Sequence, residues 1–175
     1  MDFNQIETKR LILRPVTEAD AQDFFELDSN PEVHRFLGNK PVKTIAESES
    51  MITAILEQYK NFNLGRLAVI LKDTNEFIGW SGLKYEQNLR KEFNYYDLGY
   101  RFKRQYWGKS YATETALASL CYGFEDLKLQ EINAAADIDH IASNTILKKI
   151  GMQPSGTFEY EDDLCNWYSI QNPCL

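Results

Sequence analysis

The sequence predicts a single mixed α/β domain, an antiparallel meander of strands followed by a strand–helix–strand–helix–strand run. Three observations predict it. Residues 94–102 change character at every second position, as a strand in a two-faced sheet does. Ile52, Ile55, Leu56 and Tyr59 repeat with the helical period of about 3.6 residues, behind a Thr44/Glu47 capping box. Strand-like and helix-like segments then alternate to the end, with no repeat, low-complexity tract or linker between them. Residues 1–175 are therefore read as one domain, since this length suits one domain and is short for two. A domain of this size buries roughly 70% of its unfolded surface and needs no metal or disulfide staple.

Taken in order, RLILR (10–14) is a short apolar strand ended by Pro15. Thr17 and Asp20 open a helix that runs to about Asp28, with Ala21, Phe24 and Phe25 inward. Asn30-Pro31 begins a further short turn or helix, and the Thr44 helix follows. LAVIL (67–71) is a strand and Thr74-Asn75 its hairpin turn. EFIGWSGLKYE (76–86) is the return strand, whose Gly79 and Gly82 allow a bulge. In NYYDLGYRF (94–102), Tyr96, Leu98, Tyr100 and Phe102 share one face, and Asp97, Gly99 and Arg101 the other. A helix from Ser110 to about Phe124 turns Ala112, Ala116, Leu117 and Leu120 to one side. EINAAAD (131–137) is a strand of small residues. A short helix over about 142–150 carries Ile146, Leu147 and Ile150 inward and stops at Gly151. MQPSGTFEY (152–160) and LCNWYSI (164–170) are two closing strands.

Composition narrows the function. The net charge of −7 argues against a broad nucleic-acid surface, which would be basic. Cys121, Cys165 and Cys174 are odd in number and form no zinc or CxxC spacing, so no metal is expected. The first residues have no apolar signal core, and nowhere is there an apolar run of about 18 residues. A reduced, cytoplasmic protein without a membrane segment is the expectation.

The segment KRQYWGKSYATET (103–115) carries the chemistry. Gly108-Lys109-Ser110 imitates the end of a nucleotide P-loop, but GxxxxGK(S/T) requires glycine where Lys103 stands, and GxGxxG is absent. The physical logic survives without the motif. A strand ends at Phe102 and a helix begins near Ser110, so the turn offers bare N–H groups and the positive end of the helix dipole. Gly108 admits an anion to the backbone without a Cβ in the way, and Ser110 can cap or hydrogen-bond. Arg101, Lys103, Arg104 and Lys109 add a local cationic cluster. The plainer alternative is a helix entry whose glycine serves turn geometry alone.

At these residues the chain resembles a known family. Gln105-x-x-Gly108-x-Ser110 is similar to the pyrophosphate loop Q/R-x-x-G-x-G/A of GNAT N-acetyltransferases. LGYRFKRQYWGKSYATETA, ETKRLILRPVTEADA and SNTILKKIGM resemble segments of the RimJ/RimL-type branch, which acetylates ribosomal-protein N-termini. The resemblance spans essentially the whole chain. It implies a central, mostly antiparallel mixed sheet of about six to seven strands, splayed in the middle and flanked by about four helices. Three positions depart from the pattern: Ser110 replaces the usual Gly/Ala, His140 stands where Asn is usual, and Met152 stands for Phe.

The resemblance further implies acetyl-CoA as donor and a primary amine as acceptor, either a protein N-terminus or a small molecule. The pyrophosphate is expected on the N–H groups from Gln105 to Ser110, with Trp107, Gly108, Lys109, Tyr111 and Asn144 also on the cofactor side. The pantetheine is expected along Leu98, Tyr100 and Phe102, with an N–H near Leu98–Tyr100 polarising the thioester carbonyl. A free alkylamine has a pKa around 10, so a base must take its proton. Asp97 is the first candidate, and Glu159 and Glu161 come next. Asp97 is equally readable as a structural strand acid. Ser143 is placed to protonate the leaving thiolate or to cap its helix, and His140 to move protons. Glu114 complements the helix dipole and is not read as a base. Trp80, Tyr85 and Trp107 are candidates for the acceptor pocket. The alternative function is a non-catalytic CoA-binding sensor or interaction module. The outer face of the closing strands is a candidate homodimer surface.

Overall fold

The computed structural model describes residues 5–90, 92–160 and 163–173. Its N-terminal part is a meander. Strand β1 (Ile6–Glu7) is followed by β2 (Leu11–Pro15), α1 (Ala21–Asp28), α2 (Pro31–His34) and α3 (Ile45–Phe62), then by β3 (Arg66–Leu71), β4 (Glu76–Glu86) and β5 (Tyr95–Phe102). A 3-10 turn over Arg104–Tyr106 leads to α4 (Tyr111–Cys121), which runs on into one π turn, Tyr122–Asp126. Then come β6 (Glu131–Asp137), α5 (Ile141–Lys149), β7 (Gln153–Tyr160) and β8 (Asp163–Gln171).

The described strands form one eight-stranded sheet ordered β1-β2-β3-β4-β5-β6-β8-β7. The seven segments and four helices legible in the sequence all exist. The turn or helix expected at Asn30-Pro31 is the four-residue α2, and the one added strand, β1, is two residues long, too short to show a period. Asn30 caps α2 through a bond from Glu32 N–H to its Oδ1, and Pro31 fixes the first turn.

Local chemistry explains the boundaries. The Thr44/Glu47 capping box closes in both directions, and α3 ends at Asn63 in a left-handed conformation. The Thr17–Asp20 start is a 3-10 turn before α1 proper, with the Asp20 carboxylate accepting from Thr17 N–H at 2.8 Å. α1 buries Phe24, Leu27 and Asp28, while Ala21 and Phe25 are half-buried. In β4 the register slips opposite Val69 and Ile70, the bulge expected at Gly79. A Cβ there would lie 2.1 Å from the Arg101 carbonyl oxygen, so only glycine lets β5 pass this close.

Helix α4 departs from its predicted face. Ala116 and Leu120 are buried as expected, but Leu117 is 49% exposed, and Tyr111, Thr115 and Ser119 are buried in addition. The burial of Tyr111 against Leu11, Leu13 and Phe102 sets this rotation. Thr115 and Ser119 are tolerated inside because their hydroxyls bond the carbonyls of Ala112 and Thr115.

Candidate active site

The two halves of the sheet meet at a fork. β5 and β6 run parallel and share a single pair, Asp97 with Asn133, whereas β5 pairs with β4 along its whole length. Lys103 N–H donates to Ile78 O, which fixes the antiparallel alternation. That alternation turns the backbone groups of Leu98, Tyr100 and Phe102 toward the edge where β6 departs. The Phe102 carbonyl is occupied there by the Trp107 indole N–H at 2.8 Å. The Leu98, Tyr100 and Phe102 side chains point to the α4–α5 side, where Leu98 and Phe102 are buried.

The turn after β5 supplies the second feature. Among the described residues, the N–H groups of Gly108, Lys109, Ser110, Tyr111, Ala112 and Thr113 make no hydrogen bond of normal geometry to a protein acceptor. The first intrahelical bond of α4 is from Glu114 N–H to Ser110 O. Gly108 has φ +74°, and a Cβ built on it would meet nothing within 4 Å. Donors of this kind, at the positive end of a helix and beneath open space, suit a diphosphate. Gln105 sits exposed in the 3-10 turn just before them.

Several expectations change in detail. The helix starts at Tyr111, and Ser110 is its N-cap with φ +63°. In that left-handed conformation the Ser110 hydroxyl makes no capping bond, so the capping role expected of it is not realised. The cationic cluster is mostly spent. Arg101 pairs with Asp28, Lys103 with Asp23 and Glu26, and Arg104 with Glu32, all acids from α1 and α2. Lys109 alone of the four has no acidic partner among the described residues; its ammonium lies 5.3 Å from the Tyr106 ring centre. Tyr111 offers its N–H, while its ring packs inward beneath the Arg10 guanidinium.

Arg10, whose role no motif in the sequence marks, holds the loop in place. It donates to the Lys109 carbonyl at 3.0 Å and to Glu114 at 2.7 Å, and Glu114 also accepts from the Thr8 hydroxyl at 2.6 Å. Glu114 thus ties the β1–β2 turn to the start of α4. Burial opposes its ionisation, but the Thr8 and Arg10 bonds prevail and hold its carboxyl below the ordinary value.

On the α5 side of the fork, the Tyr100 hydroxyl lies 3.1 Å from Ser143 Oγ. Burial pushes the Tyr100 phenol up to about 12, so it is protonated at neutral pH. Ser143 is the third residue of α5, not its cap; the cap position is His140. Asn144, expected on the cofactor, has its bonds committed inside the protein. Its amide donates to the carbonyls of Asp137 and His140, and its oxygen accepts from Asn166 and Tyr168. The His140 ring stacks on Phe36 at 4.5 Å, and burial lowers its pKa, leaving it neutral.

The opposite face of the fork carries the acceptor-side candidates. The Asp97 carboxylate is ion-paired through Oδ2 with Arg66, whose guanidinium also bonds the Gly82 and Asp97 carbonyls. The space above Gly99 is filled by that guanidinium: a Cβ at Gly99 would lie 2.6 Å from Arg66 Nη2. Burial pushes the Asp97 carboxyl up, against the pull of Arg66. Neutralising Asp97 would strand a buried arginine, at a cost of roughly 3–5 kcal/mol. Asp97 is therefore a partner of Arg66 before it is a free base. No sequence signal marked Arg66, which reads only as the residue before an apolar strand.

Glu159 is remote. It lies opposite Leu164, near the β7–β8 turn, whereas the fork's level on β7 is Gln153, opposite Ser169 and hence Asn133. Six residues of strand span about 20 Å. Glu161 falls outside the described residues. Trp80 lies between the guanidinium groups of Arg66 and Arg101, at 5.3 and 5.0 Å. Tyr85 packs against Phe62 and Tyr96. No group of metal-ligating side chains occurs among the described residues.

A forked mixed sheet beside a loop of uncommitted amides is the architecture of an acyltransferase whose donor carries a diphosphate. Comparison with known proteins agrees. The family model described as "Acetyltransferase (GNAT) domain" matches residues 10–153. The chain is 33% identical to the uncharacterized N-acetyltransferase YoaA of Bacillus subtilis, over 98% of each chain. It superposes on the GNAT-family acetyltransferase of Bacillus anthracis with a TM-score of 0.80 and 25% identity, covering 97% of this chain and 99% of that one. RimL, a ribosomal L7/L12 α-N-protein acetyltransferase solved in complex with coenzyme A, shares the fold at a TM-score of 0.81 and 15% identity, over 96% and 98% of the two chains. The chain belongs to the GNAT acetyltransferase family and is an acetyl-CoA-dependent N-acetyltransferase.

Proposed function

We propose that the chain transfers acetyl to a primary amine by direct attack in a ternary complex, in the manner of the RimJ/RimL-type branch, on a protein N-terminus or a small amine. The observation that carries this reading is the set of uncommitted N–H groups from Gly108 to Thr113, beside the open edge of β5. Those amides and Lys109 would hold the diphosphate, and the Tyr100 backbone would align the pantetheine arm. Acetyl-CoA supplies the activated thioester.

The chain's own groups do the rest. The Tyr100 N–H is the donor for the acetyl carbonyl oxygen. Asp97 Oδ1, which has no bonding partner among the described residues, orients the amine while Oδ2 stays on Arg66. The nitrogen gains a bond to the acetyl carbon and loses a proton to water; the carbon–sulfur bond breaks. The Tyr100–Ser143 hydroxyl pair delivers a proton to the sulfur.

The test is thiol release from acetyl-CoA with a panel of amines and N-terminal peptides, with mass spectrometry of the products. Acceptor-dependent release with acetylated product is expected. Tight coenzyme A binding without release across the panel would favour a non-catalytic CoA-binding module.

A further inference from the structure

The β4–β5 loop closes over an aromatic cage. Trp167 of β8 is its centre, met edge-on by the rings of Phe93, Tyr95 and Phe158 at 5.8, 4.6 and 5.6 Å between ring centres. A cation already occupies it. The Arg90 guanidinium lies 5.0 Å from Phe93, 4.9 Å from Phe158 and 5.0 Å from Trp167. Apart from these rings, Arg90 has a surface ion pair, its Nε 3.2 Å from Glu92. The Glu92 side chain is 67% exposed, and Phe93 is 43% exposed, so the cage has an open side toward solvent.

The cage borders the fork. Tyr95 is two residues from Asp97 on the same face of β5, and Trp167 is paired with Ala135, two residues beyond Asn133. Two residues of strand place Tyr95 and Trp167 each on the order of 7 Å along their strands from the level of the Asp97–Asn133 pair, with Phe158 farther out along β7. The cage lies on the Asp97 side of the sheet, opposite Tyr100 and Ser143. The buried arginines nearby are already matched, Arg66 by Asp97 and Arg101 by Asp28. A cationic acceptor group would also be drawn by a chain of net charge −7.

We propose that the acceptor carries a second, cationic group, an ammonium or guanidinium, which replaces Arg90 in the cage of Phe93, Tyr95, Phe158 and Trp167 while the reacting amine reaches the fork. This rests on the acetyl-transfer reading above. The caged amine stays protonated and unreactive, so the cage selects and orients without taking part in the chemistry.

Three probes of matched length test it on the full chain: 1,4-diaminobutane, n-butylamine and 4-aminobutyrate. Thiol release should favour the diamine over the other two by about tenfold or more in kcat/KM. Arg90→Ala should lower the KM of the diamine, because the competing guest is gone. Trp167→Leu should bring the diamine-to-monoamine ratio toward one, and Trp167→Phe, which keeps the packing, should fall between. Preference for 4-aminobutyrate, a raised diamine KM in Arg90→Ala, or equal use of diamine and monoamine would overturn the proposal. Calorimetry of the same probes on the coenzyme A complex separates the two readings. Diamine binding that Trp167→Leu removes upholds the cage even if no thiol is released, and failure of the diamine to bind overturns it.

Discussion

Ser110 holds φ at +63°, a conformation that costs an ordinary L-residue roughly 1–2 kcal/mol. Its side chain does not repay this with a capping bond. Glycine would remove the strain but lose about 0.5–1 kcal/mol to its freer unfolded chain. Ser110→Gly is therefore expected to raise Tm by about 1–3 °C in calorimetry, with no loss of coenzyme A affinity. A fall in Tm would mean that the hydroxyl makes a compensating contact. Tyr100 is the second decisive residue, because its phenol spans the fork to Ser143. Tyr100→Phe is expected to lower kcat by about a hundredfold while changing the affinity for coenzyme A little. An unchanged kcat would take the proton-donor role from this pair. The sequence places Tyr100 on the right strand face but not its hydroxyl on Ser143, since that contact joins residues 43 positions apart.

Among the elements, α4 depends on a polar tether as much as on its apolar face. Glu114 is depressed below its ordinary value in the folded protein, so its contribution follows the usual carboxylate sign. That stability is complete above the unfolded value of about 4.3 and is lost as pH falls through the lower folded value. Between about pH 5 and about pH 3, Tm of the wild type should fall more steeply than that of Glu114→Gln. Equal slopes would remove Glu114 as the link between α4 and the β1–β2 turn. Elements with a strong local signal were legible: β4 and β6 match their predicted spans, and the Thr44/Glu47 box forms as expected. The face of α4 was not, because a tyrosine at its first turn decides the rotation through contacts with β2 and β5.

At the scale of the whole molecule, the described strands form two half-sheets joined at one residue pair, and the gap between them is the proposed seat of the pantetheine arm. The loop and the strand beside it were readable because strand, glycine and helix start are adjacent in the chain. The acceptor face was not, because Arg66, Arg90 and Trp167 arrive from three separate segments and carry no motif. The same distance in sequence explains why Asp97 reads as a free carboxylate until Arg66 is seen against it, and why the cationic cluster reads as unpaired until α1 and α2 are in place. The most direct measurement of the central claim is a coenzyme A titration followed by amide proton shifts in the isotopically labelled protein. The amides of Gly108 through Thr113 are expected to shift downfield together and saturate with bound ligand, since each is free to take a diphosphate oxygen. Saturation with those amides unmoved, and the shifts confined to other segments, would contradict the claim.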